Sequence, residues 1–251
     1  MPADALSVDR DVAAPGRGQP APTGGFWDSP ENVERFAARP ADLRLTELIR
    51  EFPDPASVRV LDIGCAAGRN TVLLAAAGFD FAALDASTAM VAKTRERIAE
   101  LLGPLEAERR VRVGRMDELD GHADACYDLV VSLGLYHCAQ SRAEWERALS
   151  ETARVLKPGG RLLVSVFTPE TDLTGRGIRA VTGEPDVYVG FESETRHVLV
   201  DAAGLDRDLA RHGLLPTEPT RTARPKVDTG RRVSANGLYR KGGCVTGPGG
   251  C

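Results

Sequence analysis

The stretch Val58–Ala86, VRVLDIGCAAGRNTVLLAAAGFDFAALDA, decides the fold of this chain. It opens with a short, β-branched run that is typical of a buried parallel strand. A turn of small residues, Gly64–Gly68, is followed by a Leu- and Ala-rich stretch that predicts a helix ending at Gly78. A second apolar run, Phe79–Leu84, leads directly to Asp85. The pattern predicts the βαβ unit of a nucleotide-binding sheet.

Two acids flank the turn of small residues. Asp85 ends the second strand, where a carboxylate accepts hydrogen bonds from two ribose hydroxyls. Asp62 lies two residues before the first glycine. Gly64 and Gly68 do not have the G-x-G-x-x-G spacing of a dinucleotide site. The spacing therefore argues against an NAD-dependent oxidoreductase, although that enzyme class shares the βαβ unit and the ribose acid.

The segment Asp62–Gly68, DIGCAAG, resembles motif I of the class I S-adenosylmethionine (SAM) dependent methyltransferases, D/E-x-G-x-G-x-G. The middle glycine of the motif is Ala66 here, and a left-handed conformation at that residue would be disfavoured. The resemblance implies SAM as cofactor. The residues that it implies around this turn and the second strand are Asp62, Gly64, Cys65, Ala66, Gly68, Asn70, Asp85 and Ala86.

Later segments extend the resemblance, in the family's order, as far as Phe167. The third predicted strand, Val111–Met116, is followed by Asp117. At these positions the family packs an apolar residue, here Met116, on the adenine ring and binds its amino group with an acid, here Asp117. Tyr127–Leu133, YDLVVSL, resembles motif IV, and Leu133 ends that strand where cofactor and acceptor meet. Residues 154–164, RVLKPGGRLLV, resemble the segment before the last central strand.

The resemblance implies an α/β, Rossmann-like class I methyltransferase fold, with a seven-stranded, mostly parallel sheet, helices on both faces and an antiparallel C-terminal strand. We expect a disordered leader, a methyltransferase domain and a flexible tail. Their predicted ranges are 1–25, 26–240 and 241–251; within the domain, 26–55 form an N-terminal helical cap and 168–213 a variable acceptor-side segment. In the family, such a cap covers the cofactor and acceptor, which gives Trp27, Arg35 and Phe36 a functional role; core anchoring and surface charge explain them equally well.

Composition narrows the range of partners. The 251 residues carry a formal net charge of −4, which does not suggest a footprint for nucleic acid or an anionic membrane. No apolar run is long enough to cross a bilayer, and the N-terminal residues lack the apolar segment of a signal peptide, so we expect a cytoplasmic protein. The five cysteines show no zinc-binding spacing, and no metal is predicted. We expect a monomer or a homodimer.

His137 and Tyr136 are the candidate catalytic residues, because they follow the fourth strand at the edge where ligands bind. Methyl transfer is an in-line displacement, so alignment of the reactants and a dry pocket are the protein's main contributions. A general base is needed only if the acceptor keeps its proton until attack, and His137 suits that role. The simpler alternatives are a packed rim residue for His137 and a pocket wall for Tyr136. We expect the other histidines to lie at exposed loop or helix positions: His122, His197 and His212.

The predicted function is transfer of a methyl group from SAM to a small-molecule metabolite. The Gly68-Arg69-Asn70 continuation resembles the small-molecule branch of the family, including the tellurite-resistance and thiopurine-type enzymes. Arg69 and Asn70 could contact the cofactor's carboxylate or cap the turn. A non-catalytic SAM-binding protein remains an alternative, and the acceptor atom is open among oxygen, nitrogen, sulfur and carbon.

Overall fold

The computed structural model describes residues 25–191 and 194–243. Within these residues the chain forms seven α-helices and eleven strands. The helices are α1 (Pro30–Ala37), α2 (Leu43–Leu48), α3 (Arg69–Ala76), α4 (Thr88–Leu102), α5 (Pro104–Arg110), α6 (Arg142–Val155) and α7 (Ala202–Arg211). The strands are β1 (Arg59–Ile63), β2 (Asp80–Asp85), β3 (Val111–Val113), β4 (Tyr127–Leu133), β5 (Leu156–Phe167), β6 (Arg179–Ala180), β7 (Val187–Val189), β8 (His197–Val198), β9 (Leu214–Pro216), β10 (Arg221–Ala223) and β11 (Ser234–Lys241).

The predictions for the chain ends are only partly covered by these residues. Of the predicted disordered leader, residues 1–24 lie outside the described residues, and so do residues 244–251 of the predicted tail. None of the helices in the described ranges is long and apolar enough to cross a membrane.

The main sheet has the strand order β10-β11-β5-β4-β1-β2-β3, with β9 also paired to β11. Strands β1 to β5 are parallel, and β9, β10 and β11 are antiparallel to their partners. Because β5 occupies one side of β11, both β9 and β10 lie on its other side. They act as one edge strand that is interrupted at residues 217–220. The predicted seven-stranded architecture with an antiparallel C-terminal strand is therefore confirmed.

Alternation along β1 divides the core into two layers. Leu61 and Ile63 are fully buried against one layer, which includes Trp145 of α6. Val60 is fully buried in the other layer, with Leu74 of α3 and Ile98 of α4. Side chains of successive strand residues point to opposite faces, so a strand this apolar needs helices on both sides of the sheet.

Three local features differ from the sequence-based prediction. Gly103 and Pro104 predict the end of a helix, and α4 does end there; Pro104 also begins α5, since its missing N–H is harmless at a first helical position. Residues 157–160, KPGG, predict a turn, but they lie inside β5, where the register against β4 shifts. Within the variable segment, β6, β7 and β8 form a small antiparallel sheet that the sequence did not predict.

The N-terminal cap lies over the first turn of the sheet. Val33 of α1 is buried in one cluster with Ala67 and Met90, and Ala66 packs against that cluster. The cap therefore covers the carboxyl ends of the first two strands, which are the ends where ligands bind in open α/β sheets.

Candidate functional site

The turn between β1 and α3 runs through three left-handed residues. Gly64 and Gly68 have φ of 74° and 84°, and Ala66 has φ of 47°. Ala66 thus adopts the disfavoured conformation, at a cost of about 1–2 kcal/mol relative to an ordinary backbone. Its N–H donates a hydrogen bond of 2.9 Å to Oδ2 of Asp85. That bond to a carboxylate offsets the strain and holds the turn against the end of β2.

Neighbouring side chains explain both glycines without a ligand. A Cβ atom at Gly64 would lie 2.9 Å from the Leu135 side chain, and one at Gly68 would lie 2.9 Å from Thr94. Glycines in such a turn allow a ligand to approach the backbone closely. In the structure they are also required by positive φ and by contacts with the protein itself.

We call Asp62, Asp85 and the turn 64–68 the carboxylate corner. Asp62 is 2% exposed and accepts a hydrogen bond of 2.7 Å from Oγ1 of Thr71. Burial raises the pKa of Asp62 to about 6, outweighing that hydrogen bond and the field of Arg69, and the nearby Asp85 adds to the rise. The corner therefore favours a cation that would stabilise ionised Asp62.

Asp85 is half-buried and connects the turn to α4. Besides the bond from Ala66, its Oδ1 accepts a hydrogen bond of 2.9 Å from the N–H of Ser87. Burial raises the pKa of Asp85 despite these two backbone donors. Each oxygen keeps a further lone pair, as a carboxylate needs if it is to accept hydrogen bonds from hydroxyl groups of a ligand.

Other residues predicted around this turn have contacts of their own. Asn70 is buried, and its Oδ1 accepts a hydrogen bond of 3.0 Å from the N–H of Asp42, which ties α3 to the cap. Cys65 is buried, and burial raises the pKa of its thiol well above the usual value, which disfavours the thiolate form. Ala86 is exposed beside Ser87. The Ser87 hydroxyl accepts a hydrogen bond from the N–H of Met90 and so caps α4.

The residues predicted for the adenine lie farther along the same edge. Met116 is buried, while Leu133 is half-buried at the end of β4. Asp117 is also buried, and its two oxygens form ion pairs with Arg115 at 3.0 Å and Arg147 at 2.8 Å. A contact between Asp117 and an adenine amino group stays a prediction. Asp117 would make such a contact in addition to its ion pairs with Arg115 and Arg147.

We call His137, Phe167, Phe191 and His197 the aromatic cluster. The His137 ring lies 4.6 Å from the Phe167 ring and 5.6 Å from the Phe191 ring, between centroids. His137 is 3% exposed, and its Nδ1 is buried with no hydrogen-bond partner among the described residues. Burial, together with the neighbouring His197 and Arg232, lowers its pKa to about 3. His137 is therefore a neutral imidazole that accepts or donates a hydrogen bond but holds a proton poorly.

His197 is buried in the structure, although the sequence favours an exposed position for it. His197 is 5% exposed, and its ring stacks on that of His137 with 6.5 Å between centroids. Its Nδ1 lies 3.0 Å from the Thr195 carbonyl oxygen. No local pattern indicates this burial, because it follows from the docking of β8 beside the segment after β4. His122 and His212 are half-buried and bonded to Tyr127 and Glu146, so the exposed prediction is wrong for them as well.

Tyr136 belongs to the core and not to the aromatic cluster. Its hydroxyl lies 2.6 Å from Oγ1 of Thr152, and its ring packs edge-on against Trp145 at 6.3 Å. Burial raises the pKa of Tyr136 to about 12. These contacts favour a structural role for Tyr136 over the catalytic role considered from the sequence.

Comparison with known proteins shows which family the central segment of the chain matches. Residues 60–160 match the model of the family described as methyltransferase domain. The chain is 34% identical over 125 residues to the demethylmenaquinone methyltransferase of Clavibacter sepedonicus, covering 49% of this chain and 46% of that protein. It is 32% identical over 169 residues to the demethylmenaquinone methyltransferase of Mycobacterium sp. (strain KMS), covering 62% and 66%. The chain thus spans about half to two thirds of the length of these relatives.

Among solved structures, the fold resembles the 1,6-didemethyltoxoflavin-N1-methyltransferase of Burkholderia thailandensis, a structure that holds 1,6-didemethyltoxoflavin and S-adenosylhomocysteine. The TM-score is 0.56 at 21% identity, and the match covers 85% of this chain and 80% of that chain. At this identity the likeness supports the fold and leaves the acceptor open.

Proposed function

Because residues 60–160 match the methyltransferase domain family, we propose that the chain is a class I SAM-dependent methyltransferase that transfers the methyl group of SAM to a small-molecule acceptor. The observation that carries this proposal is the carboxylate corner. Asp62 and Asp85 end neighbouring parallel strands on either side of the turn 64–68, and burial raises the pKa of both carboxyls. Two such carboxylates suit a ligand that brings positive charge and ribose hydroxyls.

The residues of the corner fit the parts of SAM. Asp62 would pair with the ammonium group, directly or through water, and Asp85 would accept hydrogen bonds from the ribose hydroxyls. Gly64, Cys65, Ala66 and Gly68 would face the ligand through their backbone, and Asn70, Ala86, Met116, Asp117 and Leu133 would complete the surroundings. When bound, SAM supplies a methyl group on a sulfonium, which is reactive toward nucleophiles without help from the protein.

The protein's part is alignment and exclusion of water. Holding two reactants in line can contribute on the order of 7–11 kcal/mol to lowering the barrier. We propose that His137 positions the acceptor through its Nδ1, which has no partner within the described part of the chain, inside surroundings that Phe167 and Phe191 keep apolar. With a pKa of about 3, His137 is a weak proton acceptor, so positioning suits it better than general-base catalysis.

Calorimetric titration of the purified protein with SAM, S-adenosylhomocysteine (SAH) and NAD tests the cofactor. We expect micromolar binding of SAM and SAH and none of NAD, and a protein that binds neither sulfur ligand would contradict the proposal. Transfer of a labelled methyl group from SAM to members of an acceptor panel then separates an enzyme from a non-catalytic SAM-binding protein.

The proposed partners follow from charge and from the family. A formal charge of −4 supports a small-molecule acceptor and not nucleic acid or an anionic membrane. We propose a cytoplasmic protein that acts as a monomer or a homodimer. Sedimentation of the full chain at two concentrations distinguishes these two states.

A further inference from the structure

A cavity of about 460 Å³ lies beside β2 and β3, and none of the residues of the carboxylate corner lines it. Leu84 and Arg112 line this cavity and are register partners in parallel strands, so their side chains point to the same face of the sheet. In the described range 25–191, the chain passes from β3 to β4 without forming a helix. That connection provides no helix over this face, and Arg112 is exposed on it. The cavity that remains is large enough for a small-molecule ligand.

Arginines outnumber carboxylates around this cavity, which we call the arginine cavity. Its three acidic side chains are Asp80, Glu118 and Asp120, and its five arginines are Arg59, Arg109, Arg110, Arg112 and Arg115. The lining thus has a formal surplus of two positive charges, although the whole chain has a formal net charge of −4. Charges of one sign that line a concave surface reinforce each other, so this surface attracts anions.

Arg112 is the arginine of this cavity that can offer all of its side-chain donors to a ligand. The other four form ion pairs with carboxylates of the protein: Arg59, Arg109, Arg110 and Arg115. The Arg112 side chain has no hydrogen bond or ion pair with any residue in the described part of the chain. Its charge acts on the interior of the cavity, where His122 belongs to the lining. Burial lowers the pKa of His122, and the positive charge of Arg112 contributes next to that lowering.

We propose that the arginine cavity binds a phosphate group, either as free phosphate or as part of a small metabolite. A phosphate monoester carries about −1.5 to −2 charges at pH 7, which matches the positive surplus of the lining. The planar guanidinium of Arg112 donates two parallel hydrogen bonds to the phosphate oxygens. Ala82 and Leu84 give the cavity an apolar wall, against which the body of a metabolite packs. This site is separate from the one proposed for SAM, so neither proposal depends on the other.

Calorimetric titration of the full chain with inorganic phosphate, glucose 6-phosphate and glucose tests the proposal. We expect both phosphates to bind and glucose not to bind. Tighter binding of glucose 6-phosphate would indicate a metabolite, and tighter binding of inorganic phosphate would indicate the free anion. Arg112→Gln should weaken the binding of both by at least about tenfold, as expected for hydrogen bonds between charged groups. Arg112→Lys should keep part of the affinity, because it keeps the charge but loses the two parallel hydrogen bonds.

Arg240→Gln is the matched control, and it should keep the wild-type affinity for both phosphates. Arg240 is an exposed arginine of β11 outside the cavity, and its side chain also has no hydrogen-bond or ion-pair partner among the described residues. If neither phosphate binds, if Arg112→Gln keeps the wild-type affinity, or if both glutamine variants weaken binding equally, the proposal is wrong. It is also wrong if saturation with SAH abolishes phosphate binding, since the anion would then occupy the cofactor site. Melting curves identify any variant that does not fold.

Discussion

The carboxylate corner and the aromatic cluster lie at the same edge of the sheet but are built in opposite ways. The corner comes from residues 62–85, and backbone N–H groups and Thr71 bond to its carboxylates. The aromatic cluster draws on residues after β4, at the end of β5 and in the small sheet, and its central polar atom, Nδ1 of His137, has no partner among the described residues.

The difference shows how each part would recognise a ligand. In the corner, one short segment fixes both the charges and the backbone geometry. Recognition of the ligand there therefore depends on the folding of that segment alone. In the cluster, shape and one neutral imidazole provide the contacts, and these depend on how distant segments dock. Variants in the corner should therefore change stability and cofactor affinity, whereas variants in the cluster should change acceptor turnover.

The largest effect is expected at Gly68. Gly68→Ala combines a left-handed alanine with a Cβ placed 2.9 Å from Thr94, and it should lower the free energy of unfolding by about 2–5 kcal/mol. Gly78→Ala is the control, because Gly78 has a similar φ of 82° but no atom within 4 Å of the added Cβ, and it should cost only about 1–2 kcal/mol. Urea denaturation measures both. Equal losses would show that contacts with Thr94 do not constrain the turn.

The next effect concerns the pH dependence of Asp62. Because its pKa is raised from 3.8 to about 6 on folding, the folded state holds its proton more tightly, and stability falls as pH rises from about 4 to 6. Asp62→Asn should abolish this fall and stabilise the ligand-free protein by about 3 kcal/mol at pH 7.5. Urea denaturation at pH 4.5 and 7.5 tests this, with exposed Asp54→Asn as control. A variant that follows the wild-type profile would refute the assignment.

A third effect tests the ribose contact. Asp85→Asn should weaken SAH binding by roughly 1.5–3 kcal/mol, which is the worth of hydrogen bonds to a charged acceptor. Asp28→Asn removes another carboxylate nearby, one that accepts a 2.7 Å hydrogen bond from the Ser87 hydroxyl, and it should have a smaller effect. Calorimetry of both folded variants separates a specific contact from a general loss of negative charge, which would weaken binding in each alike.

A smaller effect is expected in the aromatic cluster. His137→Phe removes a buried nitrogen that has no partner among the described residues, so it should stabilise the fold by roughly 1 kcal/mol while leaving SAH affinity unchanged. His197→Phe should destabilise by about 1 kcal/mol, because it leaves the Thr195 carbonyl without the imidazole. Thermal melting compares the two. Methyl transfer that persists fully in His137→Phe would exclude its role in positioning the acceptor.

The smallest effect is expected at Ala66. Ala66→Gly relieves the left-handed strain at φ 47° but adds freedom to the unfolded chain, so a net stabilisation of at most about 1 kcal/mol is expected. Denaturation curves measure it, and a clear destabilisation would mean that the alanine methyl contributes more packing to the cap than its conformation costs.

Much of the fold could be read from the sequence because it depends on local signals. The apolar run before Gly64 and the ends of the central strands follow from residue type and spacing, and so does the placement of Asp62 and Asp85 at one edge. The start of α5 at Pro104 was missed, since the same proline that ends one helix can begin another.

The sequence by itself determined the central βαβ unit, the class of sheet and the positions of the two acids, because strand and helix periodicity are properties of short segments. Only the tertiary structure decided that His197 lies buried on His137 and that Arg115 and Arg147 pair with Asp117. Burial and pairing are properties of segments far apart in the chain. They depend on docking, which no local pattern encodes.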